Sequence, residues 1–226
     1  MRSVWKQGQH VLISGSTGSG KTALSRRIQQ IRIDNGGHII VLVMKPKGDS
    51  TIREDYLDNG YVRWKAFKKR PPSWQNKVLL WPDTSKLKGD AVLDHQKEVF
   101  AEAFDELNYE GKRTVVIDEG LYACSPTFLN MADKVAMMHA IGRGDNLTCV
   151  DLMQRPSNMP LIIYGSASHA FVSQTREAGD LKRLAEMGAR QSSRELADTI
   201  AANEQHDFTW IPVTPGWPPE KVNLRH

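Results

Sequence analysis

Eight consecutive residues, Gly15-Ser16-Thr17-Gly18-Ser19-Gly20-Lys21-Thr22, carry the spacing G-x-x-x-x-G-K-[ST]. Glycines let a backbone curl until successive N–H groups converge on one anion, and a helix opening at the lysine adds its dipole. Such a loop cradles the phosphates of ATP. Lys21 is expected to reach the β- and γ-phosphates, and the Thr22 hydroxyl to ligate Mg²⁺. Further along, Thr114-Val115-Val116-Ile117 runs into Asp118-Glu119. A carboxylate closing a buried strand can hold Mg²⁺ through water, the expectation for Asp118. Glu119 beside it is the expected base that polarises the attacking water. Small-molecule kinases deliver phosphate to a substrate hydroxyl, so a water-activating glutamate points instead to hydrolysis.

These groups need a scaffold that brings strand ends together. Apolar runs at 10–13, 39–44, 114–117 and 147–153 read as buried strands, and 78–81, 169–173 and 208–213 as further ones. Helical spacing appears over 21–35, stopped by Gly36-Gly37, and over 91–108, with Val99, Phe100, Ala103, Phe104 and Leu107 on one face. Met131, Val135 and Met138 mark another helix ending near Gly142, and Ser192 with Glu195 forms a capping box for a last one. The polar stretch 45–76 reads as a surface excursion with a short strand pair around 61–64. Strands alternating with helices predict an α/β fold with a mostly parallel, doubly wound sheet, its functional edge at the carboxyl ends of the strands. Residues 1–205 are expected to form the motor domain, and 206–226 a strand and a Pro/Trp tail that is part of the same domain or an interaction segment.

At 226 residues the chain can bury a core without staples. Its two cysteines, Cys124 and Cys149, lack metal-type spacing, which favours a reduced, cytoplasmic protein. The net charge of +4 admits a polyanionic partner. No apolar run reaches membrane-span length, and no signal-peptide core opens the chain.

The sequence resembles the FtsK–HerA superfamily of ring-forming, DNA-pumping ATPases. The likeness is carried by the run from Gly8 through His10 to the phosphate loop, by Pro46-Lys47-Gly48-Asp49, by Val116-Ile117-Asp118-Glu119 (a Walker B segment), and by Gln154-Arg155-Pro156-Ser157. It spans residues 8–157. The resemblance implies a P-loop NTPase of the additional-strand, catalytic-glutamate, RecA-like kind, and it assigns Gln154 the part of a polar sensor near the γ-phosphate. One departure is clear: Lys45 stands where the family usually has aspartate, so no acidic role carries over to that position. A bare motor of this length looks like the viral branch, the genome-packaging ATPases of tailless and small tailed bacteriophages. That likeness implies double-stranded DNA, a homo-oligomeric ring and a portal or capsid vertex protein as partners.

A ring motor needs an arginine from the neighbouring subunit to stabilise the transferred phosphoryl group. Arg143 is the first candidate and Arg155, beside the sensor, the second; Arg143 reads equally well as a helix-end cation. The run Arg63-Trp64-Lys65-Ala66-Phe67-Lys68-Lys69-Arg70 interleaves aromatics with charge, which makes Lys65, Lys68, Lys69 and Arg70 candidate DNA contacts or simply a solvated face. Met137 and Met138 read as core and helix-face residues, and His139 as structural or surface, with no partner cluster visible in the sequence. Trp210, Trp217 and Pro215, Pro218 and Pro219 make a rigid tail suited to docking or to packing back on the sheet. Competing readings are a small-molecule kinase, which lacks an arginine-rich lid here, a filamentous-phage-type assembly ATPase, which usually carries a membrane span, and an ATP-dependent interaction switch. No nuclease signature is visible.

Overall fold

The computed structural model describes residues 6–45, 50–68, 72, 74–175, 177–185, 187, 193–212 and 219–224. Pro46-Lys47-Gly48-Asp49, Lys69, Arg70, Ser192, Pro215, Trp217 and Pro218 lie outside the described residues.

In chain order the strands are β1 (His10–Ser14), β2 (Ile39–Leu42), β3 (Val62–Trp64), β4 (Lys77–Leu80), β5 (Thr114–Ile117), β6 (Thr148–Met153), β7 (Ala167–Val172), β8 (Asp207–Pro212) and β9 (Glu220–Asn223). The helices are α1 (Lys21–Asp34), α2 (Ser50–Asp55), α3 (Asp90–Glu110), α4 (Gly120–Cys124), α5 (Ala132–Ile141), α6 (Leu161–Ser166), α7 (Ala178–Ala185) and α8 (Ser193–Ala201). The described strands form one sheet in the order β3-β4-β2-β5-β6-β1-β7-β8-β9. Pairing is parallel from β3 through β7 and antiparallel at β7–β8 and β8–β9. The strand bearing the phosphate loop, β1, does not touch β5. Strand β6 lies between them, and this is the additional strand that the family resemblance implies.

The central strands are mostly apolar and fully buried because helices cover both faces. Period-two alternation divides β1: Val11 and Ile13 join Leu24 and Ile28 of α1 on one face, whereas Leu12 joins Phe100 and Phe104 of α3 on the other. All seven residues are buried. The 21-residue α3 is therefore the main cover of the second face, with Val99, Ala103 and Leu107 completing its buried stripe.

Two expectations change, and the carboxyl-terminal segment takes one of its two expected courses. The stretch 45–76 contains α2 and one strand rather than a strand pair: β3 adds in parallel to β4, with Val62 opposite Val78. Near the carboxyl end, β9 returns to β8, with Asn223 opposite Asp207, so these strands extend the same sheet. His139 does have a partner cluster. Its Nε2 lies 2.9 Å from Asp151 Oδ2 and its Nδ1 2.8 Å from Ser166 Oγ, all enclosed between α5, α6 and β6. Its neighbours on α5 divide as expected, Met138 in the core and Met137 on the outer face.

Candidate active site

The carboxyl ends of β1, β2, β5 and β6 meet at one edge of the sheet. Past β1, the Gly15 N–H donates to Met153 O at 3.2 Å, which carries the pairing with β6 into the loop. A Cβ at Gly15 would come within 2.6 Å of Ser19 Oγ and 2.7 Å of Ser173 Cβ, so only glycine fits this close approach. Gly20 has φ 95°, in the left-handed region, and turns the chain into α1. That turn points the first N–H groups of α1 into the loop. Lys21 Nζ arches back across it and donates to Gly15 O (2.8 Å) and Ser16 O (2.9 Å). Burial lowers the Lys21 pKa; Glu119 and Asp118 counteract, and the charge of Lys45 adds to the lowering.

The loop bounds a cavity of about 390 Å³ whose opposite wall carries Asp118, Glu119 and Gln154. The Asp118 N–H donates to Leu42 O at 3.4 Å, holding the end of β5 against β2. Gln154 Nε2 donates to Glu119 Oε2 at 3.4 Å, whereas Glu119 Oε1 is buried without a hydrogen-bond partner. The Glu119 carboxylate lines the cavity, and such a group is an acceptor able to take a proton from a water there. Thr22 also lines the cavity, and its hydroxyl with the Asp118 carboxylate forms the hard oxygen donor set that suits Mg²⁺. Lys45, Asp55, Tyr56 and His206 also line the cavity, and none of them is a site residue in the sequence reading. The edge rule reaches Lys45, which follows β2, because every parallel strand presents its carboxyl end there. Tyr56 and His206 carry no local signal.

The arginines separate. Arg143 precedes β6 and lies against Gly8, which precedes β1, so it sits at the amino-terminal edge of the sheet, opposite its own phosphate loop. Arg155 flanks that loop. It borders a neighbouring cavity with Gly15 and Ser16 and pairs with Glu177 (3.2 Å) and Asp180 (3.5 Å).

The basic run differs from its sequence reading. Trp64 and Phe67 are buried and pack edge to face in the core, with ring centroids 6.2 Å apart. Burying these two rings gains more than exposing them, so among the described residues Trp64 and Phe67 are not part of an aromatic–basic surface. Arg63 stacks over Trp81 at 4.0 Å. Lys65 and Lys68 are exposed, with Lys65 paired to Asp83 at 2.7 Å.

Beneath the site, His10, His139 and Cys149 bring ring nitrogens and a thiol within 4.8 Å of one another. Their bonds oppose metal ligation. The Cys149 N–H donates to His10 Nδ1 (3.0 Å), which leaves the proton on Nε2; His139 Nε2 is engaged by Asp151; and burial pushes the Cys149 thiol pKa well up. The cluster is a buried hydrogen-bonded layer joining β1, β6 and α5.

No protein-family model and no curated protein matches the sequence. Solved structures do match. B204, the DNA-packaging ATPase from Sulfolobus turreted icosahedral virus, is similar at TM-score 0.65 and 16% identity, over 98% of this chain and 100% of that one. The genome packaging NTPase B204 from Sulfolobus turreted icosahedral virus 2, in complex with AMPPCP, gives TM-score 0.63 and 16% identity over 97% and 99%. VirB4 of Thermoanaerobacter pseudethanolicus gives TM-score 0.66 at 9% identity, over 95% and 88%. The chain thus shares the α/β fold of these packaging ATPases and of VirB4, with a mostly parallel central sheet flanked by helices.

Proposed function

We propose that this chain is an ATP-hydrolysing, double-stranded DNA translocase, a ring-forming motor that packages a viral genome. The observation that carries the reading is Gln154 bonded to Glu119 across a cavity from Lys21, on a fold shared with a packaging ATPase along almost its whole length.

In this reading residues 15–22 bind the triphosphate. Lys21 exchanges its bonds to Gly15 O and Ser16 O for β- and γ-phosphate oxygens, which replace carbonyl dipoles with full negative charge. Thr22 and, through water, Asp118 would hold Mg²⁺, which when bound neutralises charge on the phosphates. Glu119 takes a proton from the attacking water. The oxygen bonds to the γ-phosphorus, the bond to the β–γ bridging oxygen breaks, and ADP and phosphate leave. Gln154 orients Glu119 and registers the state of the γ-phosphate. Arg143 of one subunit, or Arg155, serves a neighbouring subunit's site. Lys65 and Lys68, together with Lys69 and Arg70, contact DNA phosphates, the surface charge that tracks a backbone. The motor works in the host cytoplasm on a portal or capsid vertex. No described helix is long and apolar enough to cross a membrane.

The test is ATP hydrolysis with and without double-stranded DNA, beside Glu119→Gln and with sedimentation of the assembly. Turnover stimulated by duplex DNA and lost in the variant supports the motor. Hydrolysis indifferent to DNA in a chain that never self-associates rejects it. Nucleotide-dependent association without turnover identifies an interaction switch.

A further inference from the structure

We propose that Lys45 is a catalytic residue, an ammonium supplied within the same chain to the equatorial oxygens of the transferred γ-phosphoryl group. The proposal rests on the ATPase reading and adds to it a cation that the motifs do not contain.

The placement follows from the sheet. Strand β2 is paired with β5, Leu42 lies opposite Ile117, and the Asp118 N–H is bonded to Leu42 O. The chain leaving β2 therefore emerges beside Asp118 and Glu119, and Lys45 is the third residue after the strand. It lines the cavity together with Lys21, Asp118, Glu119 and Gln154. Its charge is close enough to Lys21 to weigh against that lysine's protonation. Two ammonium groups, one from the phosphate loop and one from the end of β2, thus border one space, an arrangement disfavoured by Coulomb repulsion and relieved by a polyanion between them.

Chemistry gives that second cation a task. In phosphoryl transfer, negative charge spreads over three equatorial oxygens, and preorganised donors aimed at them lower the barrier. Among the described residues lining this cavity none is arginine, so Lys21 and Lys45 are its permanent cations. They approach from different sides: Lys21 from the phosphate loop, Lys45 from the strand next to the catalytic carboxylates. Lys45 also borders an apolar groove walled by Leu87, Leu93, Tyr122 and Phe128. A lysine stem can lie along such a wall and hold its ammonium in a limited range of directions. At this position the resembling family usually carries aspartate, so the contribution is one in which this chain's chemistry departs from that pattern.

The experiment compares Lys45→Ala and Lys45→Arg with wild type and Glu119→Gln in steady-state hydrolysis, in ADP binding by calorimetry, and in trapping of Mg·ADP by aluminium fluoride. Lys45→Ala is expected to lose about 10²–10³-fold in kcat, the loss typical of removing one donor from a developing charge. ADP affinity should change by less than about twofold, because the contact is made to the γ-phosphoryl position alone. Trapping with aluminium fluoride should fail in Lys45→Ala and return in part in Lys45→Arg. Wild-type turnover with Lys45→Ala within about threefold of it overturns the role of Lys45 and leaves the ATPase reading standing. Loss of ADP affinity in step with kcat also overturns it, by making Lys45 a ground-state binding group. A wild type that neither hydrolyses ATP nor traps aluminium fluoride overturns the ATPase reading itself. Equal thermal midpoints for wild type and both variants exclude misfolding as the source of a loss.

Discussion

Gln154 Nε2 lies 3.4 Å from Glu119 Oε2 and ties the end of β6 to the end of β5, two parallel strands that pair directly. The bond engages one carboxylate oxygen and leaves the other, Oε1, buried without a hydrogen-bond partner. In the proposed mechanism Gln154 is thereby a positioning residue for the base. Gln154→Ala should lower kcat about tenfold to a hundredfold, less than the ~10²–10⁴-fold expected for Glu119→Gln. ADP affinity should hold in both. A parallel fall in ADP binding and turnover for Gln154→Ala would contradict this division of labour.

Gly15 provides a steric test of the loop that does not depend on its φ. A methyl group there meets Ser19 Oγ and Ser173 Cβ well inside contact distance. Ser19 belongs to the loop itself, and Ser173 to the wall between β1 and β7, since the Ser173 N–H donates to Ser14 O at 2.8 Å. Gly15→Ala should cost about 1–3 kcal/mol by overpacking and displace the loop enough to weaken nucleotide binding. Urea unfolding measures the first effect and calorimetry with ADP the second. An alanine variant with wild-type values in both would show that the wall yields freely.

Much of the architecture was legible because its signals are local. β5 and β6 are unbroken apolar runs, and Phe100, Phe104 and Leu107 repeat at helical spacing along α3. The phosphate loop and Asp118-Glu119 were legible for the same reason. What escaped depends on distant partners. β3 has three residues, too few for periodicity, and its Trp64 looks like part of a basic surface until Phe67 and the sheet cover it. His139 acquires a role only when Asp151 and Ser166 arrive from other elements. Lys45 was visible as a departure from a pattern, but its approach to Lys21 depends on β2 lying beside β5.

Two buried histidines predict the acid limb of stability. Burial holds His10 at a pKa of about 4, and burial does the same for His169. Each uses its neutral tautomer: His10 Nδ1 accepts from the Cys149 N–H, and His169 Nδ1 accepts from Trp210 Nε1 at 3.3 Å. Protonation at Nδ1 destroys these bonds. The unfolded chain, with histidine near 6.5, takes up protons first, so the contribution is complete above about pH 6.5 and is lost as pH falls toward 4. At pH 5 the loss is on the order of 2 kcal/mol per histidine. Urea midpoints should fall steeply between about pH 7 and pH 5, and His169→Gln, which does not titrate, should remove about half of that slope. A slope unchanged in the variant would show that His169 does not contribute.

The position of Arg143 makes a trans role separable from a cis one. It lies against Gly8 at the sheet's amino-terminal edge, so Arg143→Ala should leave its own nucleotide pocket intact and ADP affinity within about twofold of wild type. If Arg143 completes a neighbour's site, Arg143→Ala alone should lose turnover and should poison wild-type rings when mixed into them. The sharper measurement combines two inactive variants. Lys21→Ala subunits cannot use their own site but still present Arg143, and Arg143→Ala subunits keep an intact phosphate loop. In a head-to-tail ring of the two at equal dose, about a quarter of the interfaces pair a working loop with a working arginine. Turnover should then reappear from two inactive preparations, to about a quarter of wild type if sites fire independently and to less if they are coordinated. Arg155→Ala in the same mixture supplies the comparison. Arg155 flanks its own loop and is held there by Glu177 and Asp180, so recovery with Arg155→Ala but not with Arg143→Ala would transfer the trans role to Arg155. No recovery with either would remove both arginines from that role.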